Sequence, residues 1–496
     1  MLTWVAAILP GAEPVSTPVP ADRAAGLRAL ALLEELGRIP TQSGDREAVA
    51  RGAAWIETRF RAVGFTTLRL EAPGENAMLL AELPASGGGA RAPVVMFYSH
   101  FDTQPTGPPS DWDSTGGDPF APRLLSGRWN DSGVTRLEPG DLDERSWPSA
   151  RLYGRGIADD KAPIAMHLVA LETWAARAQR PLHLKFLLDG EEEAGSPGIG
   201  AALSRHADRL AADLLVLCDG PMDALDRPSV SLGTRGDLHA RLRVRTAKLP
   251  AHSGNYSLLP NAAFRMARLL STMTDASGRV TVEGFEQGAV SPTPGERAVL
   301  AEASRAQETI ARELGVTAFD GDPALPYFER LLFHPSLIVN QVASGRQGNQ
   351  VPVTAEAIVE ARLVTAQDPR VVFEALRRHV ARHEPAAELE YLDGVAAARM
   401  DPSDPSVAWG IDAARRALGR ELLVYPTLGG TLPLLADFGK AGFRYVQLPL
   451  VNYDNNQHVG NENVRVAALP AGVGLLRRFY DALAASAPPQ GTHAPR

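Results

Sequence analysis

Short apolar runs that end in an acid or a histidine recur along this chain, and they constrain its fold more than any other feature. The run 94–98 leads into His100 and Asp102. The run 186–188 leads into Asp189 and Glu191-Glu192-Glu193, and the run 214–218 into Asp219. Between them, the glycine-bounded tract from Tyr153 to Lys161 places Asp159 and Asp160 at the start of an apolar helical segment. Short continuous apolar runs bounded by turn residues suit fully buried strands. Alternating with helices, they predict an α/β sheet with helices on both faces. In such sheets functional side chains gather beyond the carboxyl ends of the strands.

Periodic spacing predicts the remaining elements. Helices are expected over 22–36, 45–63, 160–177, 261–273, 294–314, 369–382, 406–418 and 466–485. Strands are expected over 77–83, 93–99, 182–188, 214–218, 336–342, 355–364, 388–392 and 444–449. Near residue 230 the pattern changes. Leu238, Ala240, Leu242 and Val244 alternate with His239, Arg241, Arg243 and Arg245, the mark of a strand with one wet face. A chain of 496 residues is expected to divide into domains. An α+β domain over 233–394 is therefore expected as an insertion in an α/β domain made of 20–232 and 395–486.

Composition excludes several classes. The 50 basic and 58 acidic side chains give a net charge of -8, which argues against nucleic acid as a partner. No run approaches the ~18 apolar residues of a membrane span. The apolar start, Met1 to Leu9, has no basic residue ahead of it, the first arginine being Arg23, so it is a poor secretory signal. Residues 10–20 carry four prolines and suit a loose lead-in; 484–496 suits a frayed tail. The one cysteine, Cys218, excludes an intrachain disulfide and fits a reducing, cytoplasmic setting. Its place in an apolar run marks a buried strand residue rather than a nucleophile.

Seven residues hold the chemistry: His100, Asp102, Asp159, Glu192, Glu193, Asp219 and His458. Positions two apart on an extended chain point the same way, so His100 could bind a metal while Asp102 orients ligands from behind. Asp159 could bridge two cations and Asp160 could cap the following helix. One of the adjacent glutamates could serve a metal and another a general base. Each segment alone has a bland reading: a common His-x-Asp, helix-capping acids, a solvated acidic loop. Their conjunction at strand ends points to five ligands for two zinc ions and two residues that orient a ligand and activate a water. His379 and His383 could also grip a metal from one helix. Flanked by Arg377, Arg378 and Arg382, they are instead expected on a basic solvent face.

The tract Tyr153-Gly-Arg-Gly-Ile-Ala-Asp159-Asp160-Lys161, the turn Glu192-Glu193-Ala194-Gly195-Ser196, and His458 in a loop ending Asn461-Glu462 together resemble a di-zinc peptidase family. That family includes carnosinases and other cytosolic dipeptidases, aminoacylases and acetylornithine deacetylase. The resemblance spans about Asp22 to Ala485. Ala251-His252-Ser253-Gly254, Phe333-His334-Pro335-Ser336, Asn349-Gln350-Val351-Pro352 and Ala361-Arg362-Leu363 resemble its lid and dimerisation domain. The long stretch before Ser336 is closest to the dipeptidase branch.

The resemblance implies two zinc ions per subunit, with manganese or cobalt also acceptable to such donors. His100 and Asp219 would bind separate ions, Asp159 would bridge them, and Glu193 and His458 would complete the pair. Glu192 would be the general base, with Asp102 supporting the site. His252 would reach the active site of a partner subunit. Arg362 would bind the substrate carboxylate, helped by Gly429, Gly430 and Thr431, with Asn349 also on the substrate side. Glu191 would be left as an extra, exposed acid. The implied activity is hydrolysis of dipeptides or small peptide-like substrates with a free carboxylate, by a zinc-bound hydroxide, in a homodimer joined through the lid. An N-acyl-amino-acid deacylase is the alternative. Ser99 and Ala162 stand where glycine is usual. The link over 121–152, longer than expected for the family, could reshape the substrate rim.

Overall fold

The computed structural model describes residues 22–70, 78–86, 92–223, 227–346, 348–418 and 422–486. The readings of Met1 to Leu9, of 10–20 and of the tail beyond 486 lie outside the described residues. The chain divides into two compact units. One gathers the described residues of 1–232, 400–424 and 437–496; the other gathers 233–399 and 425–436.

The first unit is built on an eight-stranded sheet. Its centre is four parallel strands, in the order His183–Asp189, Val94–His100, Leu214–Leu217 and Tyr445–Gln447. Met78–Leu83 and Thr66–Leu70 extend it antiparallel on one side. The central strands are buried along nearly their whole length. Successive side chains point to opposite faces. Phe97 accordingly stacks on Phe186 and meets Tyr480 of the helix Ala468–Ala484, whereas Tyr98 meets Phe438 of the helix Pro433–Lys440. Helices thus cover both faces.

Asp22 and Asp45, expected inside the first two helices, are their N-caps. Their carboxylates accept the N–H groups of Ala25 and Ala48. The third helix starts later than expected, at Ala162–Ala175, because Asp159 and Asp160 have non-helical backbone angles after the left-handed Gly156. Asp160 therefore does not cap that helix. From Ala162 to Leu171 every residue of it is buried, which is what a helix apolar on all sides must be.

Inside this core lies His167, in contact with Tyr480 and with the buried Cys218. Burial pushes its imidazole down from 6.5 to about 3. It stays neutral in the fold while an unfolded chain would protonate it. Its contribution is therefore whole above pH 6.5 and is lost progressively as pH falls towards 3, at about 1.4 kcal/mol per unit. Metal-free His167→Leu should lose stability less steeply than the parent between pH 6 and 4 in denaturant titrations. Equal slopes would exclude this source of acid sensitivity.

The second unit has a four-stranded antiparallel sheet ordered Ser336–Ser344, Thr354–Leu363, Gly236–Arg245, Ala387–Val395. Leu238, Ala240, Leu242 and Val244 are buried with Ala357, Val359 and Ala361 beneath the helices Ala262–Ser271 and Pro369–His383. On the opposite face Arg241 pairs with Glu390 at 2.8 Å and Arg243 with Glu356 at 2.9 Å.

Three expectations change here. The helix over 294–314 is broken into Pro294–Ala303 and Gln307–Leu314 by a tight turn at Ser304–Ala306. Ser304 donates back to Leu300 O and accepts from Phe328 N–H, which favours the break. His379 is not on a solvent face. It lies on the buried stripe with Val372, Leu376 and Val380, and contacts Thr272 Oγ1 at 2.8 Å. Residues 425–436, expected with the α/β domain, belong with the second unit. There Arg235 N–H donates to Leu428 O and Gly430 O. Among the described residues no helix is long and apolar enough to cross a membrane.

Candidate metal centre

Three parallel strands deliver the first unit's polar residues to one end of the sheet. Val94–His100 ends on His100, His183–Asp189 precedes the turn Glu192–Ala194, and Leu214–Leu217 precedes Asp219. The irregular turn Ile157–Lys161, whose Asp159–Asp160 peptide is cis, supplies Asp159, and the loop after 452 supplies His458.

Two groups of metal-capable atoms result, each within 4.8 Å: His100, Asp159 and Asp219; and Asp159, Glu193 and His458. Asp159 is common to both. Its Oδ1 lies 3.0 Å from His100 Nε2 and its Oδ2 3.0 Å from His458 Nε2. Glu193 Oε2 is 3.3 Å from His458 Nε2, and Glu192 Oε2 is 3.9 Å from His100 Nε2. Asp102 is fully buried. Its two oxygens accept the N–H groups of Glu192 and Glu193 at 3.1 Å each, and Oδ1 is 3.4 Å from His100 Nδ1.

The electrostatics show how crowded these carboxylates are. Burial pushes Asp219 up to about 6 and Glu193 up to about 8, and Glu192 well above the ordinary range; neighbouring acids add to each. Burial alone would lower the His458 imidazole, but Asp159 and Glu193 outweigh it and push it up to about 9. Burial raises Asp159 as well, yet His100 and His458 hold it below the ordinary range. So much negative charge at low solvation needs cations. A mixed set of imidazole and carboxylate donors, arranged around one shared carboxylate, fits a pair of divalent ions.

Several residues support the centre in roles that the sequence did not assign to them. Gln104 donates through Nε2 to Glu193 Oε2 at 2.7 Å and through its backbone N–H to Oε1 at 3.2 Å. Asp160 Oδ2 accepts the His100 N–H at 3.3 Å. Glu462 is fully buried, pairs with Arg155 at 2.9 Å, and accepts the N–H groups of Gly156, Ala158 and Asp159. It thereby shapes the turn that presents Asp159, and its place in the Asn-Glu motif was the available signal. Glu191 is buried, not exposed as expected. The turn folds back, with Glu191 N–H donating to Asp189 Oδ1 and Glu191 O accepting the N–H groups of Ala194 and Ser196.

The remaining candidates lie in the second unit. His252 is exposed, beside Asn349, whose carbonyl accepts the Ser253 N–H. Arg362 is buried, paired through Nε with Glu360, and donates to Thr431 Oγ1 at 3.0 Å. Its Nη2 is buried and has no hydrogen-bond partner among the described residues. Gly429 and Gly430 precede Thr431 in the same loop.

Residues 96–482 match the peptidase family M20/M25/M40, and the chain belongs to that family. It is a metallopeptidase by class. It is 27% identical to the cysteinylglycine-S-conjugate dipeptidase of Corynebacterium striatum, over 78% of this chain and 79% of that protein. It is 25% identical to the Beta-Ala-His dipeptidase of Mus musculus, over 81% of this chain and 79% of that one. Among solved structures it resembles the M20 family metallo-carboxypeptidase Sso-CP2 from Sulfolobus solfataricus. The TM-score is 0.76 at 25% identity, over 92% of this chain and 99% of that one. Human carnosine dipeptidase 1 shares the fold, with a TM-score of 0.71 at 23% identity, over 95% of this chain and 100% of that one.

Proposed function

We propose that this chain is a dinuclear, zinc-dependent dipeptidase acting on dipeptides or small peptide-like substrates with a free carboxylate. The observation that carries this reading is Asp159, whose two oxygens each face a different histidine at 3.0 Å. Relatives named as dipeptidases, aligned over about four-fifths of the chain, support the substrate class.

His100 and Asp219 would hold one ion, Glu193 and His458 the other, with Asp159 shared. When bound, the ions supply Lewis-acid polarisation of the amide carbonyl and acidify a water. Glu192 takes the proton of the attacking water and returns it to the leaving amine. Burial raises its carboxylate above the ordinary range, which makes it a stronger proton acceptor than an exposed glutamate. Asp102 fixes Glu192 and Glu193 through their backbone N–H groups. His252 Nδ1 accepts the Gly254 N–H, which leaves Nε2 as the protonated nitrogen. From a partner subunit, that N–H would be offered to the scissile carbonyl oxygen. The second unit serves as lid and dimerisation surface. Its edge strand Ser336–Ser344 exposes Ile338, Val339 and Val342, which a second copy would cover.

Arg362 grips the substrate carboxylate with its unpartnered Nη2, with Asn349 and the Gly429-Gly430-Thr431 loop beside the substrate. Arg362→Lys keeps the charge but loses the planar fork. It should raise KM for free dipeptides at least about tenfold more than for their C-terminal amides, since only the former offer a bidentate acceptor. Equal effects on both classes would make Arg362 structural.

The reading is tested by giving the zinc-loaded protein a panel of L-dipeptides and the matching N-acetyl amino acids. Preference for the dipeptides is expected. Preference for the acylated compounds would move the chain to the deacylases, with the same metal ligands.

A further inference from the structure

The loop that carries His458 is tightly bent. Asn456, His458 and Asn461 have φ of 58°, 63° and 58°, a left-handed region uncommon for non-glycine residues, though asparagine and histidine enter it more readily than most, and their surroundings hold the loop in it. Here the hold comes from the long link that follows the His100 strand. Arg123–Leu125 and Arg136–Leu137 of that link form a four-stranded sheet with Arg151–Tyr153 and Asn463–Arg465, the strand that leaves the His458 loop.

Ahead of His458, three guanidinium groups converge on one carboxylate. Arg128 and Arg151 reach Asp454 Oδ2 at 2.9 and 2.6 Å, and Arg465 reaches Oδ1 at 2.8 Å. The Asp454 side chain is only 10% exposed. Arg151 also donates to Asp454 O and to Asn463 Oδ1, tying the two ends of the loop together. After His458, Ser114 N–H donates to Asn461 Oδ1 at 2.9 Å, and a Cβ at Gly460 would overlap the Asp111 carbonyl. The loop is therefore gripped on both sides of the imidazole, and Arg128 is one grip that the link over 121–152 contributes.

We propose that Asp454 and Arg128 are positioning residues. The link clamps the His458 loop and so sets the affinity of the group Asp159–Glu193–His458, leaving the group His100–Asp159–Asp219 unchanged. The inference rests on the reading of His458 as a ligand. Groups that orient ligands from behind typically shift metal affinity about 10–100-fold.

The test is calorimetric titration of the chelator-stripped full chain with zinc alone, for the parent, Arg128→Ala, Arg128→Lys, Asp454→Asn and His458→Ala, with circular dichroism to establish folding. Arg128 is one of three cations on Asp454 and its side chain is 26% exposed, so Arg128→Ala should fold even where Asp454→Asn does not. Arg128→Ala should weaken one of two zinc sites about 10–100-fold and spare the other, and Arg128→Lys should recover most of the loss. Weakening of both sites alike, or of neither, overturns the clamp. His458→Ala should abolish the same single site. If it leaves both sites intact, the ligand reading itself fails, a result distinct from failure of the clamp alone.

Discussion

Glu192→Gln should retain two metal ions and lose about three orders of magnitude in kcat, roughly 4 kcal/mol of transition-state stabilisation. The carboxamide has the shape of the carboxylate and leaves the donation from Glu192 N–H to Asp102 untouched, so the turn keeps its form. It cannot accept a proton from water. The side chain is 11% exposed and lies 3.9 Å from His100 Nε2, so bulk water offers little substitute base. Steady-state kinetics beside metal analysis of the same sample check this. Near-normal turnover would remove Glu192 from the reaction.

Asp159→Ala should go further and abolish both hydrolysis and metal retention. Among the described residues no other carboxylate belongs to both metal groups, and its loss leaves His100 Nε2 and His458 Nε2 without their shared partner. Metal content after gel filtration in metal-free buffer should fall from two equivalents towards none, and dipeptide hydrolysis should become unmeasurable. Retention of both ions would show that Asp159 is not the bridge. The two variants separate the steps, since one removes a proton acceptor and the other the ions.

Much of this centre was legible in the sequence because strand ends are legible. An apolar run that stops at His100, Asp189 or Asp219 states both the strand and what stands at its carboxyl end. Helix starts were readable to within a residue where a capping aspartate was present, as at Asp22 and Asp45. What escaped was set by contacts distant in sequence. Glu191 looked like a solvated acid, yet the turn after Asp189 folds it inward. Asp160 looked like a helix cap, but the backbone bends at Asp159 and turns its carboxylate towards His100. Gln104 carries no periodic or motif signal; its role comes from Glu193, 89 positions away. The link over 121–152 read only as a long connection beside the substrate rim because its strands are two or three residues long and pair partly with a segment more than 300 residues later. Residues 425–436 followed the same rule, since contacts distant in sequence, with Gly233, Thr234, Arg235 and Arg362, tie them to the second unit.

The most direct test of the account is a zinc titration of the chelator-stripped chain, with hydrolysis of one L-dipeptide followed at each addition. Negligible hydrolysis is expected without metal, and full activity when two equivalents per chain are bound. Full activity in the stripped protein, or saturation at a single equivalent, would contradict a reaction centre built around a shared Asp159.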